Sequence, residues 1–221
     1  DSYMKKSKKA ILDALKDVRK GSKLEALVLN MVLQKLDSDS FDFDGDAVYT
    51  TDGKRMVYCV ANRPQFIVPE GVEVIGEMAF RSKKKLKKVM LPTTLKRIEK
   101  DAFYDCDDLD NVVLPYSVTS VKGYAFAECD SLRNITFTSL PAQLAKHAFS
   151  DSDNLQKIYV PKGTYKKFIK FLNLNGDENF LIQETEETGE NQTRQDMPSI
   201  SVAEKVEENN ETTDGGNETE E

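Results

Sequence analysis

Few residues of this chain have the type and spacing that metal binding or catalysis requires. The acidic run from Asp37 to Asp46 is a dense set of oxygen ligands and suggests a calcium loop. Counted back from Gly45, such a loop would start at Ser40 instead of an aspartate. It would end at Thr51, where a bidentate glutamate is needed. We therefore interpret the run as a polar linker and expect no metal site.

Other reactive side chains stand alone in the sequence. His147 is the single histidine, and we expect it at the surface. No serine or cysteine stands in a G-x-S-x-G motif, and neither a phosphate-binding loop nor a G-x-G-x-x-G motif occurs. We therefore predict a protein that is not an enzyme and that uses no cofactor and no small-molecule substrate.

Two of the three cysteines have a separation that recurs in many other residue pairs of the chain. Cys106 and Cys129 lie 23 residues apart, which brings their sulfurs close if adjacent strands stack about 4.8 Å apart. One interpretation is two buried, small apolar side chains, and the other is a disulfide. An odd number of cysteines leaves the redox compartment open.

A basic run and an acidic run also follow this spacing. The run from Arg81 to Lys88 by itself suggests a site for nucleic acid or heparin. A step of 23 residues predicts three ion pairs instead: Lys84 with Asp107, Lys85 with Asp108, and Lys87 with Asp110. Opposite charges on neighbouring strands stabilise a sheet, so we expect a ladder of ion pairs and no nucleic-acid partner.

The spacing belongs to an internal repeat. The dipeptide Ala-Phe occurs four times, at Ala79-Phe80, Ala102-Phe103, Ala125-Phe126 and Ala148-Phe149. Columns of leucine, of isoleucine or valine, and of proline keep the same step. Registered repeats of this length indicate a solenoid, because each unit buries its apolar face only against the next. We predict four full units, each with a short strand, one or two turns of helix or 3-10 helix, and a stacked phenylalanine.

The repeat resembles the BspA-like leucine-rich repeats. The resemblance covers about residues 46–184, and its pattern is carried by Val68-Pro69, Val72, Ile75 and Ala79-Phe80. The segment from Val48 to Tyr58 looks like the hairpin that precedes such repeats, with Asp52-Gly53 at its turn. Members of this family are mostly exported or surface proteins that bind other proteins. The resemblance therefore implies a secreted or cell-surface protein active in adhesion.

Segments outside the repeats differ in composition. We predict two helices, over residues 8–20 with Gly21 as the C-cap and over residues 22–36, the second apolar on nearly all sides and buried. Residues 1–37 would form an N-terminal cap, or else a docking module for another protein. Residues 38–184 would form the repeat domain. From Glu184 onward the chain carries thirteen acidic and two basic residues, and we predict a disordered tail over 185–221.

No apolar stretch reaches the roughly 18 residues of a membrane span. The segment from Met4 begins like a signal peptide, but Asp13 and Lys16 interrupt its apolar run. We therefore expect any export signal upstream of Asp1.

The most promising functional surface is the outward side of the repeat strands, here called the front face and expected to be concave. Its candidate partner-binding residues are Lys88, Met90, Asn111, Val113, Asn134, Thr136, Lys157 and Tyr159. We expect Met90, Val113 and Tyr159 to be solvent-exposed, because Val89, Val112 and Ile158 take the buried side. The sequence thus predicts a protein-binding module. The alternative is an accessory subunit of an envelope complex that docks through the N-terminal helices.

Overall fold

A computed structural model describes residues 5–18, 23–176 and 178–186 of the chain. The predicted C-cap Gly21 lies outside these ranges, and so does the predicted tail beyond Glu186. Fourteen strands and three α-helices occur in the described residues. The domain boundaries predicted from the sequence remain predictions.

The chain begins with a short strand, two helices and a β-meander. These elements are β1 (Lys5–Ser7), α1 (Lys8–Val18), α2 (Lys23–Gln34), β2 (Ser40–Phe43), β3 (Ala47–Thr50) and β4 (Arg55–Cys59). Strands β1 to β4 pair antiparallel in the order β1-β2-β3-β4. The predicted hairpin is confirmed, and Gly53 takes the left-handed conformation at its turn, with a φ of 71°. Both predicted helices are present within the described ranges.

Parallel strands then form two ladders along the solenoid. One ladder continues β4 and contains β6 (Val74–Ile75), β8 (Arg97–Ile98), β10 (Ser120–Val121) and β12 (Gln143–Leu144). The front ladder has two sheets, which contain β5 (Gln65–Ile67), β7 (Lys88–Met90), β9 (Asn111–Leu114), β11 (Asn134–Phe137), β13 (Lys157–Val160) and β14 (Ile182–Glu184). The solenoid therefore has about six turns instead of the four predicted from the Ala-Phe dipeptides. The terminal turns were missed because they lack that dipeptide.

The segments that join the two ladders are tight turns, closed by backbone hydrogen bonds between residues three apart as in the 3-10 turns predicted there, and in the described residues they do not continue as helices. Ser82, Asp105, Glu128 and Asp151, one in each of four turns, have φ between 55° and 60°. Met78, Asp101 and Tyr124 repeat this conformation four residues earlier, with φ of 58° to 60°. Left-handed residues interrupt the series of right-handed φ values that a helix needs, so the backbone turns sharply twice in each of the first three of these turns and once in the fourth.

Phenylalanine rings fill the core as predicted. Phe80 and Phe103 stack with ring centroids 4.7 Å apart, and Phe103 and Phe126 stack 5.0 Å apart. Phe149 continues the column at 5.8 Å. The amides of Phe80 and Phe103 donate hydrogen bonds to Ala102 and Ala125 in the next turn, each at 2.7 Å. The Ala-Phe dipeptide thus fixes both the core and the spacing of adjacent turns.

A second apolar cluster lies beyond the N-terminal end of this column. There α1 and α2 pack on the outer side of the β3–β4 hairpin, through Ile11, Leu29 and Tyr58 among others. The inner side of the hairpin, including Ala47 and Met56, joins the solenoid core. The hairpin is therefore buried on both faces.

Helix α2 corrects one expectation. Val28, Leu29, Val32 and Leu33 are buried against the hairpin, but Leu24, Leu27 and Met31 are exposed. Only one side of the helix meets the rest of the described chain, although its sequence is apolar nearly all round.

Among the described residues, fewer elements close the C-terminal end. Helix α3 (Tyr165–Leu172) buries Phe168 and Leu172, and a 3-10 turn (Asn179–Leu181) leads into β14, which pairs parallel with β13. The ring of Phe168 meets Phe137 edge-on at 4.9 Å. The segment thus covers part of the last full turn.

Candidate protein-binding face

Strand register places the predicted front-face residues in two rows. The first, here called the polar row, contains Gln65, Lys88, Asn111, Asn134 and Lys157. The second, called the apolar row, contains Ile67, Met90, Val113, Thr136 and Tyr159. Within each of the two sheets the register is the predicted 23-residue step, and a hydrogen bond from the Asp110 amide to the Lys87 carbonyl keeps that step between the sheets. The structure therefore brings all eight candidate residues to one face.

Exposure along this face is less uniform than predicted. Met90 is exposed as expected, but Val113 and Tyr159 are only half-exposed, and Asn134 and Thr136 are buried. Strand β11 lies between β9 and β13, and side chains on strands about 4.8 Å apart shield one another. The accessible apolar surface therefore lies at the N-terminal half of the row.

Part of the polar row is engaged within the protein. The side-chain amide of Asn134 donates a hydrogen bond to Oδ1 of Asn111 at 2.9 Å. The ammonium group of Lys157 donates to the carbonyl oxygen of Phe180 at 2.7 Å. These bonds stabilise the middle and the C-terminal end of the face and leave fewer polar groups there for a partner.

Sequence reasoning missed the first member of each row, Gln65 and Ile67. They flank Phe66 on β5, which pairs in register with β7. The signal was present, because Phe66 and Val89 are 23 residues apart and Pro69 heads the proline column. The Ala-Phe dipeptide, which marks the four predicted units, does not accompany this first strand. Ile67 extends the apolar row by one exposed residue.

Only part of the predicted ladder of ion pairs forms. The Lys84 ammonium lies 3.0 Å from Asp107 and 3.1 Å from Asp105, and these hydrogen bonds raise the pKa of Lys84. Lys85 and Lys87 make no ion pair with any described residue. The pairings predicted for Asp108 and Asp110 are therefore wrong.

Asp110 occupies a different environment from the one predicted. It is buried at the start of β9, and its Oδ1 accepts no hydrogen bond within the described residues.

The cysteines are free thiols buried in the core. Sγ of Cys106 donates to the carbonyl of Phe80 at 3.1 Å, and Sγ of Cys129 donates to that of Phe103 at 3.2 Å. Burial raises the pKa of Cys106 well above its ordinary value and that of Cys129 to about 12. The first interpretation of this pair is confirmed, and both cysteines are structural.

Lys83 occupies the cysteine position of its own turn but has a different role. Its ammonium group is buried, pairs with the Glu25 carboxylate of α2, and lies 3.2 Å from the Tyr58 hydroxyl. The Tyr58 hydroxyl donates to the same carboxylate at 3.0 Å. Helix α2 is thus joined to the first turns of the solenoid by a buried ion pair. The signal in the sequence was a lysine in a column of small residues.

The described residues contain no group of three or more His, Cys, Asp or Glu side chains that could hold a metal ion. Among these residues there is also no helix with the length and apolar character required to cross a bilayer.

Comparisons with known proteins agree with the geometry of the repeats. Residues 53–170 match the BspA type leucine rich repeat region in six copies. A leucine-rich repeat protein from Eubacterium ventriosum is similar in structure, with a TM-score of 0.52 and 20% identity. The similarity covers 55% of this chain and 33% of that protein, so this chain spans about a third of its length.

Two further structures are similar over larger parts of this chain. The T. pallidum leucine rich repeat protein has a TM-score of 0.43 and 16% identity. The similarity covers 76% of this chain and 91% of the T. pallidum protein. The pneumococcal vaccine antigen PcpA has a TM-score of 0.44 and 20% identity, with 66% of this chain and 46% of that one covered. No curated protein matches the chain.

The family match extends over more than half of the chain, and its six copies agree with the six turns of the structure. The chain therefore belongs to the BspA-type leucine-rich repeat family.

Proposed function

We propose that the protein is a non-enzymatic protein-binding module and that its partner docks on the N-terminal half of the front face. The observation that carries the proposal is the exposed pair Ile67 and Met90. These side chains are 62% and 52% exposed and lie side by side on β5 and β7. Large apolar side chains that remain exposed together mark interaction surfaces more often than isolated ones do.

Neighbouring residues support this surface. Val113 and Tyr159 continue the row and are half-exposed, and Lys88 of the polar row is exposed beside Met90. An apolar strip with a polar edge is the usual composition of a protein interface. An extended segment that crosses the strands would meet Ile67, Met90 and Val113 in succession. We propose adhesion at the cell surface or outside the cell as the setting, as is common in this family.

A second candidate function uses the exposed side of helix α2. Leu24 and Leu27 of α2 are 60% and 65% exposed, and Met31 lies one turn further on. This apolar strip would suit an accessory subunit of an envelope complex that docks through its N-terminal helices.

Two variants with matched changes separate the candidates. Ile67→Ser with Met90→Ser removes the front-face pair, and Leu24→Ser with Leu27→Ser removes the helix pair. Both replace two apolar side chains of similar exposure, so each is the control for the other. Exposed substitutions of this kind should change the free energy of unfolding by less than about 0.5 kcal/mol.

The measurement is affinity capture of surface and secreted proteins from the native organism, with each captured protein quantified. We expect the front-face variant to lose the partner and the helix variant to retain it. Retention by the front-face variant with loss by the helix variant would establish the accessory-subunit function instead. Equal capture by both variants and the wild type would contradict both proposals.

A further inference from the structure

The C-terminal end of the solenoid contains a groove of about 540 Å³. It lies where the phenylalanine column ends. Phe149 stacks on Phe126 but is only partly buried, whereas Phe103 in the middle of the column is fully buried. One repeat step after Phe149 the sequence has Leu172, on α3. A smaller, aliphatic side chain at this position leaves part of the column end uncovered.

The groove has an apolar wall. Phe149, Ile158 and Leu172 line it, together with the half-buried Leu155 and Leu174. Phe180 lies at the edge of the groove, and its side chain is 63% exposed. Among the exposed aromatic side chains of the described residues, it is the most exposed. This volume is within the range of roughly 300–1,000 Å³ found for ligand pockets, and an aromatic side chain fits easily within it. An aromatic ring placed here would meet Phe149 and Phe180.

The rim of the groove is acidic. Three carboxylates line it, those of Asp151, Asp153 and Glu178, against one ammonium group, that of Lys146. Neither Asp151 nor Asp153 forms an ion pair with a described residue. The nearest turn adds Glu128 and Asp130, which precede Asp151 and Asp153 by one repeat step.

The carboxylates of these two turns are close enough to affect one another. Partial burial and the charges of Asp151, Asp130 and other neighbouring aspartates raise the pKa of Glu128. Asp105 and Asp107, which precede Glu128 and Asp130 by one repeat step, are paired with Lys84. Negative charge therefore accumulates toward the groove.

We propose that this groove binds a protein segment in which an aromatic side chain is flanked by lysine or arginine. The aromatic ring enters the apolar groove beside Phe149 and Phe180, and the basic residues pair with Asp151 and Asp153. The site is separate from the front face and does not depend on the function proposed for that face. Its specificity follows from the combination of an apolar wall with an unneutralised acidic rim.

The test uses a peptide probe, Lys-Lys-Trp-Lys-Lys with blocked ends. The protein contains no tryptophan, so the emission of the peptide reports its environment without interference. We expect saturable binding with a shift of the emission to shorter wavelength. Phe180→Ser should raise the Kd at least about tenfold, the change expected when an aromatic contact is lost at an exposed site.

A second variant tests the rim. Asp151→Asn with Asp153→Asn should raise the Kd about fivefold at low ionic strength, and less at high salt because salt screens exposed charges. Asparagine also tolerates the left-handed conformation of Asp151, whose φ is 57°. Tyr116→Ser is the control for Phe180, since Tyr116 is another exposed aromatic residue. Asp37→Asn with Asp39→Asn makes the same change in net charge elsewhere and should leave the Kd unchanged.

Several results would overturn the proposal. These are the absence of saturable binding, equal Kd values for wild type and Phe180→Ser, and equally tight binding of Glu-Glu-Trp-Glu-Glu. Displacement by Lys-Lys-Ala-Lys-Lys as efficiently as by the tryptophan peptide would show that charge alone is recognised. The front-face variant Ile67→Ser with Met90→Ser should bind the probe like the wild type, so either proposal can fail without the other.

Discussion

At the N-terminal end of the solenoid, the core is covered by a hairpin with two helices behind it, whereas one helix and a short strand cover the C-terminal end. The N-terminal cover also includes a buried ion pair between Lys83 and Glu25. The C-terminal cover leaves a groove whose Asp151 and Asp153 carboxylates form no ion pair with a described residue. A solenoid needs a cap at each end of its column, and within the described residues the two caps of this solenoid differ in extent.

The same comparison applies to charge. The same left-handed position is occupied by Asp105, Glu128 and Asp151 in three successive turns. The first accepts hydrogen bonds from Ser82 and Lys84, and no described cation pairs with the other two. Identical backbone positions thus differ in their electrostatic environment because a single turn supplies the lysine.

The largest expected effect tests whether the middle of the phenylalanine column contributes more to the free energy of unfolding than its C-terminal end does. Phe103→Ala removes a ring stacked on both faces and should lower the free energy of unfolding by about 3–5 kcal/mol. Phe149→Ala removes a ring that is only partly buried, so we expect a smaller loss, of about 2 kcal/mol. Urea unfolding followed by circular dichroism measures both. Equal losses would mean that the groove does not weaken the column end.

The next effect concerns the buried ion pair at the N-terminal end. Lys83→Met leaves the Glu25 carboxylate without its cation in a largely buried site and should cost about 3 kcal/mol. Adding Glu25→Leu should recover most of this loss, because an apolar pair of similar size removes both charges. A double-mutant cycle on urea unfolding gives the coupling. If Lys83→Met alone were neutral, the ion pair would not stabilise the attachment of α2.

A smaller effect is expected for the exposed pairs of Lys84. Asp107→Lys replaces attraction by repulsion and should lower the free energy of unfolding by less than about 1 kcal/mol. The loss should decrease in 1 M salt, since the pair is solvent-exposed. Asp153→Lys, two turns further on where no cation is paired, is the matched control and should be neutral or stabilising. A loss independent of salt would point to packing instead of charge.

The smallest effects are those of pH, and they should have opposite signs in adjacent turns. Burial would raise the pKa of Asp105, but hydrogen bonds from Ser82 and Lys84 lower it. Asp105 therefore stabilises the fold at neutral pH, and this stability is lost as pH falls through its folded-state pKa. Glu128 has a raised pKa, so its contribution to the stability of the fold is favourable at low pH and is lost as pH rises through that pKa.

Melting temperatures between pH 3 and 7 test this contrast. At pH 7, Asp105→Asn should melt below the wild type and Glu128→Gln above it. The Glu128 difference should disappear toward pH 3, where that carboxyl group is protonated, and the Asp105 difference should shrink as pH falls below the ordinary aspartate range. Differences of the same sign would show that the two turns do not differ in charge environment.

The repeat itself could be predicted from the sequence because it rests on a local rule repeated at a fixed step. Ala-Phe, the leucine and proline columns and the strand register all follow from that step. The two ends could not be predicted in the same detail. Glu25 meets Lys83 only because α2 folds back across a sequence separation of 58 residues, and no periodic pattern encodes that contact.

Exposure on the front face was only partly predictable for a similar reason. Alternation along one strand indicates which side chains point outward, and this was correct for Met90. It does not indicate how neighbouring strands shield those side chains, so the burial of Asn134 and Thr136 was missed. Short turns were predicted between the strands, but their left-handed residues were not, because Met78 and Tyr124 are residue types that rarely adopt positive φ.

The uniform hydrogen bonds between turns have a consequence for how the length of the protein can change. The amides of Phe80, Phe103 and Phe126 all donate to the alanine carbonyl of the next turn, so these three junctions share the same hydrogen bond. Loss of residues 103–125 would join Ala102 to Phe126 and restore the dipeptide at the new junction. Insertions and deletions of whole turns can therefore lengthen or shorten the chain during evolution while both covered ends are inherited unchanged. A deletion of any other size would shift the phenylalanine column out of alignment.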